Sequence, residues 1–282
     1  IMIETIFMPF HFSFMNQAFI VIAMITVPTS LLSCYLVLKG WSLMGDAISH
    51  AVLPGVILAY LLNIPLVIGA FCAGMTCALT TGFLAENSRI KQDTVMGIVF
   101  SGMFGFGIVL YAKIKTDLHL DHILFGNMLG IQSSDLWLSG TISMFVSFVI
   151  LAKRHDFLLH SFDPIQAYAV GLPVKFLHYS LLSLISITIV ATLSAVGIIL
   201  AIGLLIAPGA IAFLITKRFN IMLLLSVGIA FFSGLTGVYI SFFIDSAPAP
   251  TIILVLTVIF IITFIICTRR AYRVSKAKIL ET

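Results

Sequence analysis

The sequence predicts an all-α, polytopic helical membrane protein with about nine transmembrane helices, forming a single domain over residues 1–282. Three observations support this fold class: 61% of the 282 residues are apolar, only 9% are charged, and the apolar residues form long runs. An ordinary soluble domain is about 45–50% apolar and about 25% charged, and a spanning helix needs about 20 residues. The composition therefore excludes a soluble globular protein, a disordered chain and a nucleic-acid-binding module.

Hydropathy, with proline, glycine and charged residues as boundaries, predicts each span in order. The predicted spans are 14–38, 43–62, 65–85, 95–112, 135–152, 177–196, 198–216, 221–243 and 250–268. Almost no loop separates the sixth from the seventh, so these two are either separate helices or one broken unit. Eight spans plus a re-entrant stretch around 125–131 is the alternative to nine.

The basic residues predict the orientation of the chain. With the C-terminus in the cytoplasm, 13 of the 15 Lys and Arg residues fall on the cytoplasmic side, and only Lys113 and Lys115 fall outside. Because Lys and Arg collect on the cytoplasmic side of membrane proteins, we expect nine spans with the N-terminus outside. The net charge of +4 is then a topology signal rather than a nucleic-acid-binding patch.

One predicted outer loop concentrates carboxylate and imidazole side chains. The residues are Asp117, His119, Asp121 and His122. Such groups attract divalent cations, so this loop is either a funnel that gathers metal ions at the outer face or an ordinary solvated loop.

The second predicted span carries two ionisable residues, Asp46 and His50, and ionisable groups inside a span are costly and usually functional. Residues four apart lie on one face of a helix, with Cβ atoms about 5–6 Å apart. A carboxylate and an imidazole on one face suit manganese, ferrous iron or zinc. The alternative is a hydrogen-bonded pair that only packs helices.

Two spans contain a Pro-Gly pair, Pro54-Gly55 and Pro208-Gly209. Proline has no N–H, so Pro54 leaves the carbonyl of His50 without its usual partner. Interrupted spans are typical of transport pathways, although a proline tolerated in an ordinary bundle is the alternative. We therefore predict helix breaks along a pathway at these four residues.

The fourth span is rich in glycine. The glycines are Gly97, Gly102, Gly105 and Gly107. Small residues let membrane helices approach closely, so these positions predict close helix packing with no chemistry attached.

The longest predicted cytoplasmic segment, about 153–176, contains signals for a short helix. Asp163 suits the N-cap and Pro164 the first turn, and Gly171 then Pro173 end the helix. This helix either lies on the lipid surface or docks a cytoplasmic partner.

The chain shows no internal energy source. There is no G-x-x-x-x-G-K-[ST] phosphate loop, which ATP-hydrolysing domains of this type require. Active transport would therefore need a separate ATPase subunit. A self-contained secondary metal transporter or channel is the alternative function, whereas a membrane-embedded enzyme has no nameable catalytic group besides Asp46 and His50.

These residues resemble the permease subunits of manganese/iron/zinc ABC importers, the metal branch of type II ABC importers. The stretch Leu38 to Gly55 resembles the family's G-D-A-x-S-H-x-x-L-P-G signature. His122 to Asn127, Asp163 to Pro173 and Gly203 to Pro208 add support. The Met-Gly-Asp-Ala stretch and Glu86 to Asp93 are most similar to bacterial manganese/iron systems with two related permeases.

The resemblance implies a fold, a function and partners. The chain would be a non-enzymatic permease in the bacterial cytoplasmic (inner) membrane, importing manganese or iron, with zinc as a further candidate, by alternating access. It would pair with a second permease copy or paralogue, a cytoplasmic ATP-binding subunit and an extracytoplasmic metal-binding protein. No permanently bound cofactor is implied, because the metal is cargo and ATP binds the partner.

The resemblance also implies roles for particular residues. Asp46 and His50 would be pathway ligands, and Asp163, Ala167 and Gly171 would lie in the coupling helix that meets the ATPase. The last outer loop departs from the family's Pro-x-Gly turn, since it reads Ala247-Pro248-Ala249-Pro250.

Overall fold

The computed structural model describes residues 7–41, 43–113, 128, 130–131 and 133–280, and these contain helices and turns but no strand. A short 3-10 turn, Met8–His11, precedes the first helix. The α-helices are α1 (Ser13–Lys39), α2 (Met44–Leu61), α3 (Leu66–Glu86), α4 (Gln92–Lys113), α5 (Ser133–Ala152), α6 (Arg154–Phe162), α7 (Pro164–Ala169), α8 (Val174–Val196), α9 (Ile198–Ile215), α10 (Phe219–Ile244) and α11 (Pro248–Leu280).

Nine of the helices in the described residues are long and apolar enough to cross a membrane: α1 to α5 and α8 to α11. Each begins within three residues of its predicted start. Long uninterrupted apolar runs can satisfy their backbone groups in lipid only as helices, which explains the agreement. The last helix differs, because it runs on to Leu280 rather than ending near 268.

The centre of the bundle is formed by α1, α2 and α8, of whose apolar windows 72% is buried. Helix α1 packs against α9, α10 and α5, and α2 packs against α3 and α4. At one end of α1 the Tyr35 ring, which is fully buried, lies edge-on to Phe157 of α6 and Phe219 of α10. These contacts join the short helices α6 and α7 to the membrane bundle.

Two glycines bring α2 and α3 into close contact. A Cβ atom built on Gly55 would lie 2.1 Å from the Gly69 carbonyl oxygen, and one on Gly69 would lie 2.2 Å from the Gly55 oxygen. The two backbones therefore touch directly, as small residues allow in membrane helices.

The prediction that the four glycines of α4 all pack closely is wrong within this chain. Around Gly97, Gly102 and Gly105 nothing lies within 4 Å of a built Cβ atom. Gly107 alone of the four approaches α2, at Leu53 and Pro54. Most of the α4 surface faces away from the core of the chain, which explains the difference.

The sixth and seventh predicted spans are two helices joined by one residue. Helix α8 ends at Val196 and α9 begins at Ile198. The linking Gly197 has φ 83° and ψ 171°, a conformation open essentially to glycine alone.

Candidate functional site

Asp46 and His50 lie together on one face of α2, as the spacing predicts. His50 Nε2 is 3.3 Å from Asp46 Oδ1, and the two side chains are 27% and 37% exposed, respectively. Asp46 lies in the first turn of the helix, where the helix dipole favours a negative charge. The flanking residues Ala47, Ile48 and Ser49 are buried, whereas Asp46 and His50 are partly exposed.

The surroundings of His50 orient its ring. The ring lies 5.2 Å from the Phe104 ring, edge to face, and 6.0 Å from the Phe100 ring, both on α4. Its Nδ1 atom is buried and has no hydrogen-bond partner in the described structure. The ring is therefore held with Nε2 toward the Asp46 carboxylate, and Nε2 is the nitrogen placed to share a metal ion with Asp46 Oδ1.

The pair is too small to hold a metal ion tightly by itself. Within the described part of the chain, no group of three or more His, Cys, Asp or Glu side chains is placed to hold a metal. The neighbouring Ser49 hydroxyl is buried and donates to the Gly45 carbonyl at 2.7 Å, so it is turned toward its own helix. Further ligands would have to come from water, a second subunit or another part of the chain.

The helices continue through both predicted break points. Pro54 lies inside α2 and Pro208 inside α9, so each proline removes a backbone donor without ending the helix. Pro54 and Gly55 line a cavity of about 350 Å³ between α2, α3 and α4. The pathway role of these positions stays a prediction.

Ser33 of α1 forms hydrogen bonds with the backbone of α9 on both sides of Pro208. Its hydroxyl donates to the Ile206 carbonyl at 3.0 Å and accepts from the Gly209 N–H at 2.9 Å. A Cβ atom on Gly209 would lie 2.5 Å from the Ser33 carbonyl carbon, so glycine is required for this approach. The Pro208-Gly209 pair therefore allows α1 and α9 to pack closely.

The segment between the fifth and sixth spans folds into two short helices, α6 and α7, where one was predicted. Asp163 caps α7 as expected: its Oδ1 accepts from the Ile165 and Gln166 N–H groups, each at 3.0 Å. Ala167 is fully buried. Gly171 follows the helix with φ 88°, which explains why glycine occupies the position after its end.

The segment of α6, α7 and the turn to 173, which we call the docking segment after one of its two predicted roles, exposes large apolar side chains. Phe162 is 81% exposed, Ile165 83% and Tyr168 77%. Phe162 also lines a cavity of about 660 Å³ with Leu158 and Phe213. A cluster of exposed apolar side chains at a bundle end is typical of a surface that another molecule covers.

The predicted outer-face metal funnel, Asp117, His119, Asp121 and His122, lies outside the described residues. The stretch 125–131 does so as well, apart from Met128, Gly130 and Ile131.

A polar cluster that the sequence does not reveal lies where the docking segment meets the bundle. Its members come from five helices and one turn and line one cavity; they are Lys39, Trp41, Glu86, Gln92, His160 and His178. Burial, together with the nearby charge of Lys39, lowers the pKa of His160 to about 4. The one sequence signal that pointed to this cluster is that several of its ionisable residues lie at the ends of predicted spans.

Comparisons with known proteins agree with this architecture. Residues 11–267 match the model of the ABC 3 transport family. The chain is 55% identical to the chelated iron transport system membrane protein YfeD of Yersinia pestis over 257 residues, covering 91% of this chain and 86% of that one. It is 45% identical to the manganese transport system membrane protein MntB of Synechocystis over 260 residues, covering 91% of this chain and 84% of that one.

A solved structure has the same fold. PsaBC from Streptococcus pneumoniae in complex with Fab superposes with a TM-score of 0.82 at 34% identity, over 94% of this chain and 95% of the matched one. Since the family model spans most of the sequence and the relatives are matched over nearly their full lengths, the chain is a multi-pass membrane permease that belongs to the ABC 3 transport family.

Proposed function

We propose that this permease carries manganese or iron into the bacterial cytoplasm as the membrane subunit of an ATP-driven importer, with zinc as a third candidate. The observation that carries the proposal is the Asp46–His50 pair, with Nε2 and Oδ1 3.3 Å apart on one face of α2. Relatives named for chelated iron and for manganese transport support the choice of cargo.

The chemistry of the pair suits transit rather than storage. One carboxylate oxygen and one imidazole nitrogen match the ligands that manganese, ferrous iron and zinc accept. With two protein ligands per chain, an ion is held weakly enough to be released. A second permease copy or paralogue would supply the facing half of the site and raise the ligand count.

The energy source lies on a partner. The exposed apolar side chains of the docking segment, Ile165 and Tyr168 among them, support contact with a cytoplasmic ATP-binding subunit. Asp163, Ala167 and Gly171 shape the helix that makes this contact. Hydrolysis on that subunit would move the docking segment, and the pathway would open alternately to the two sides.

The orientation follows from the distribution of basic residues. We place the C-terminus in the cytoplasm and the N-terminus outside the cytoplasmic membrane, which puts the docking segment on the side where ATP is available. An extracytoplasmic metal-binding protein would then deliver the ion to the opposite face.

The test measures cellular manganese, iron and zinc in a strain that lacks its own importers. The strain expresses the permease with its ATPase and its binding protein, and the amount of permease in the membrane is measured in parallel. Asp46→Asn keeps the shape but removes the charge, and uptake is expected to fall at least about 10–100-fold, the loss that removal of even a residue supporting a metal ligand produces. Asp93→Asn is the matched control, because Asp93 is likewise an acid in the first turn of a span.

The outcomes separate the alternatives. Uptake of one metal by the wild type, lost in Asp46→Asn and His50→Ala at normal abundance, supports the proposal and identifies the cargo. Uptake that survives both substitutions refutes the pathway assignment. Uptake by the permease alone in proteoliposomes, driven by a proton gradient without ATP, would instead show a secondary transporter.

A further inference from the structure

Three contacts tie helix ends together in the polar cluster. Lys39, the last residue of α1, lies with Nζ 2.9 Å from His160 Nε2 on α6. Trp41, in the turn before α2, donates its indole N–H to Gln92 Oε1 at the start of α4, at 2.7 Å. The third contact joins α8 to α3 and is a longer approach between an imidazole and a carboxylate.

That third contact completes the cluster. His178 Nε2 on α8 is 3.9 Å from Glu86 Oε1 at the end of α3. The His178 ring also lies edge-on to Trp41 at 5.3 Å and to His160 at 6.0 Å. The Lys39 ammonium lies 4.6 Å from the centroid of the Trp41 ring, a favourable cation–π distance. The cluster is therefore one connected unit.

The Lys39–His160 contact joins α6 of the docking segment to the last residue of α1, close in the chain to the start of α2, which carries Asp46 and His50. Lys39 precedes Asp46 by seven residues, and His160 precedes the cap Asp163 by three. His160 is 2% exposed, so its ring is fixed by packing. Because the lowered pKa leaves this ring neutral at physiological pH, Nε2 accepts from the Lys39 ammonium in the tautomer that carries its proton on Nδ1, and hydrogen bonds that involve a charged group are strong.

The cavity around the cluster contains unpaired polar atoms. His160 Nδ1, His178 Nε2, Gln92 Nε2 and Ser161 Oγ are buried without a hydrogen-bond partner in the described structure, and all four residues line the same cavity of about 350 Å³. A polar cavity of this size can hold water molecules that bridge such groups, so these atoms are able to exchange partners when one helix moves against another.

We propose that Lys39 is a positioning residue, which holds His160 so that a displacement of the docking segment is transmitted to the α2 helix bearing Asp46 and His50. This inference rests on the proposed function, since it assigns the contact that links the ATPase-facing segment to the metal site. Lys39 itself touches no metal; it acts through α2. Breaking the hydrogen bond between Lys39 and His160 uncouples transport from ATP hydrolysis, although Asp46, His50 and the ATPase active site all remain intact.

The experiment uses the assembled permease–ATPase complex in proteoliposomes, with the binding protein and the metal identified above supplied outside. Three quantities are measured for each variant: the ATPase that co-purifies with the permease, the rate of ATP hydrolysis, and the metal transported per ATP. Lys39→Met removes the ammonium and retains an unbranched apolar stem. His160→Leu removes the acceptor, and His160→Gln restores one near the position of Nε2.

We expect Lys39→Met and His160→Leu to co-purify the ATPase normally and to hydrolyse ATP within about twofold of wild type, while metal transported per ATP falls about tenfold, the loss that one charged hydrogen bond produces. His160→Gln is expected to recover most of this transport. Lys113→Met is the matched control, because Lys113 is an exposed lysine at the last residue of α4, and it is expected to behave as wild type.

Several results would overturn the inference. Unchanged transport per ATP in Lys39→Met would show that the contact transmits nothing. If assembly, ATP hydrolysis and transport all fall together, the cluster only stabilises the fold. The same conclusion follows if neither Lys39→Met nor His160→Leu accumulates in the membrane. If the wild-type complex itself moves no metal, the proposed function is contradicted. This result is distinct from those above, which compare variants with an active wild type.

Discussion

Replacing Gly55 by alanine tests whether the contact between α2 and α3 is as close as the structure shows. The new methyl group would lie 2.1 Å from the Gly69 carbonyl oxygen and 2.5 Å from Ala73 Cβ. Non-bonded heavy atoms rest about 3.5–4.0 Å apart, so the helices must separate by about 1 Å or more. The nearest atom belongs to the backbone and has no rotamer by which to move away.

The magnitude follows from two opposing effects. Overpacking of a tight interior contact costs about 1–3 kcal/mol, and a backbone clash on this scale belongs at the upper end. Alanine gains about 1 kcal/mol over glycine in helix propensity, which offsets part of the loss. We therefore expect a net destabilisation of about 2 kcal/mol, which corresponds to a fall of about 4–8 °C in the melting temperature for a chain of this size class.

The assay is thermal unfolding of the purified permease in detergent, followed by circular dichroism, with metal uptake measured in cells. Gly228→Ala is the matched control, since Gly228 lies inside α10 and nothing is within 4 Å of its built Cβ atom; its melting temperature should equal or exceed that of the wild type. Uptake should fall in Gly55→Ala alone, because α2 carries Asp46. A Gly55→Ala variant as stable as Gly228→Ala would refute the proposed packing.

Three further predictions concern other contacts. Ser33→Ala leaves the buried Gly209 N–H without its hydroxyl acceptor, and is expected to destabilise the permease by about 1–3 kcal/mol in thermal unfolding. Asp163→Ala removes the cap of α7, worth about 0.5–2 kcal/mol, and should reduce the ATPase that co-purifies more than it lowers the melting temperature. The pKa of His160 is about 4 in the folded protein and about 6.5 in the unfolded chain. Between these pH values the unfolded state binds more protons, so the melting temperature should fall as the pH decreases from about 6.5 to about 4.

Each of these predictions has a control and a contrary result. Thr257→Val removes a hydroxyl that bonds only within its own exposed helix, and equal losses in Thr257→Val and Ser33→Ala would contradict the bridging role of Ser33. Unchanged ATPase recovery in Asp163→Ala would remove α7 from the docking surface. The same acid sensitivity in His160→Gln as in wild type would show that other groups cause it.

The spans and the Asp46–His50 geometry were predictable because both depend on local periodicity. An apolar run of about 20 residues crosses the membrane as a helix. On a helix, a spacing of four residues places two side chains together whatever the helix packs against. The cap at Asp163 is local in the same sense, since its partners, Ile165 and Gln166, follow within three residues.

Long-range contacts were not predictable, because composition does not show which faces meet. Gly55 and Gly97 are both glycines inside spans, yet one touches a neighbouring backbone and the other has nothing within 4 Å. The Ser33–Gly209 hydrogen bond joins residues 176 apart, and Lys39 and His160 are 121 apart. No window of the sequence contains both members of either pair.

The single-residue link between α8 and α9 limits how the molecule can move. Because Gly197 is the one residue between them, the end of α8 and the start of α9 must move together, whereas the two backbone torsions of a glycine leave the angle between the helices free to change. Helix α8 packs closely on α3, since a Cβ atom on Gly74 would lie 2.8 Å from Ser186 Oγ, and α9 is fastened to α1 through Ser33. Gly197 is therefore a point at which α9 with α1 can turn relative to α8 with α3 while the chain between them stays short.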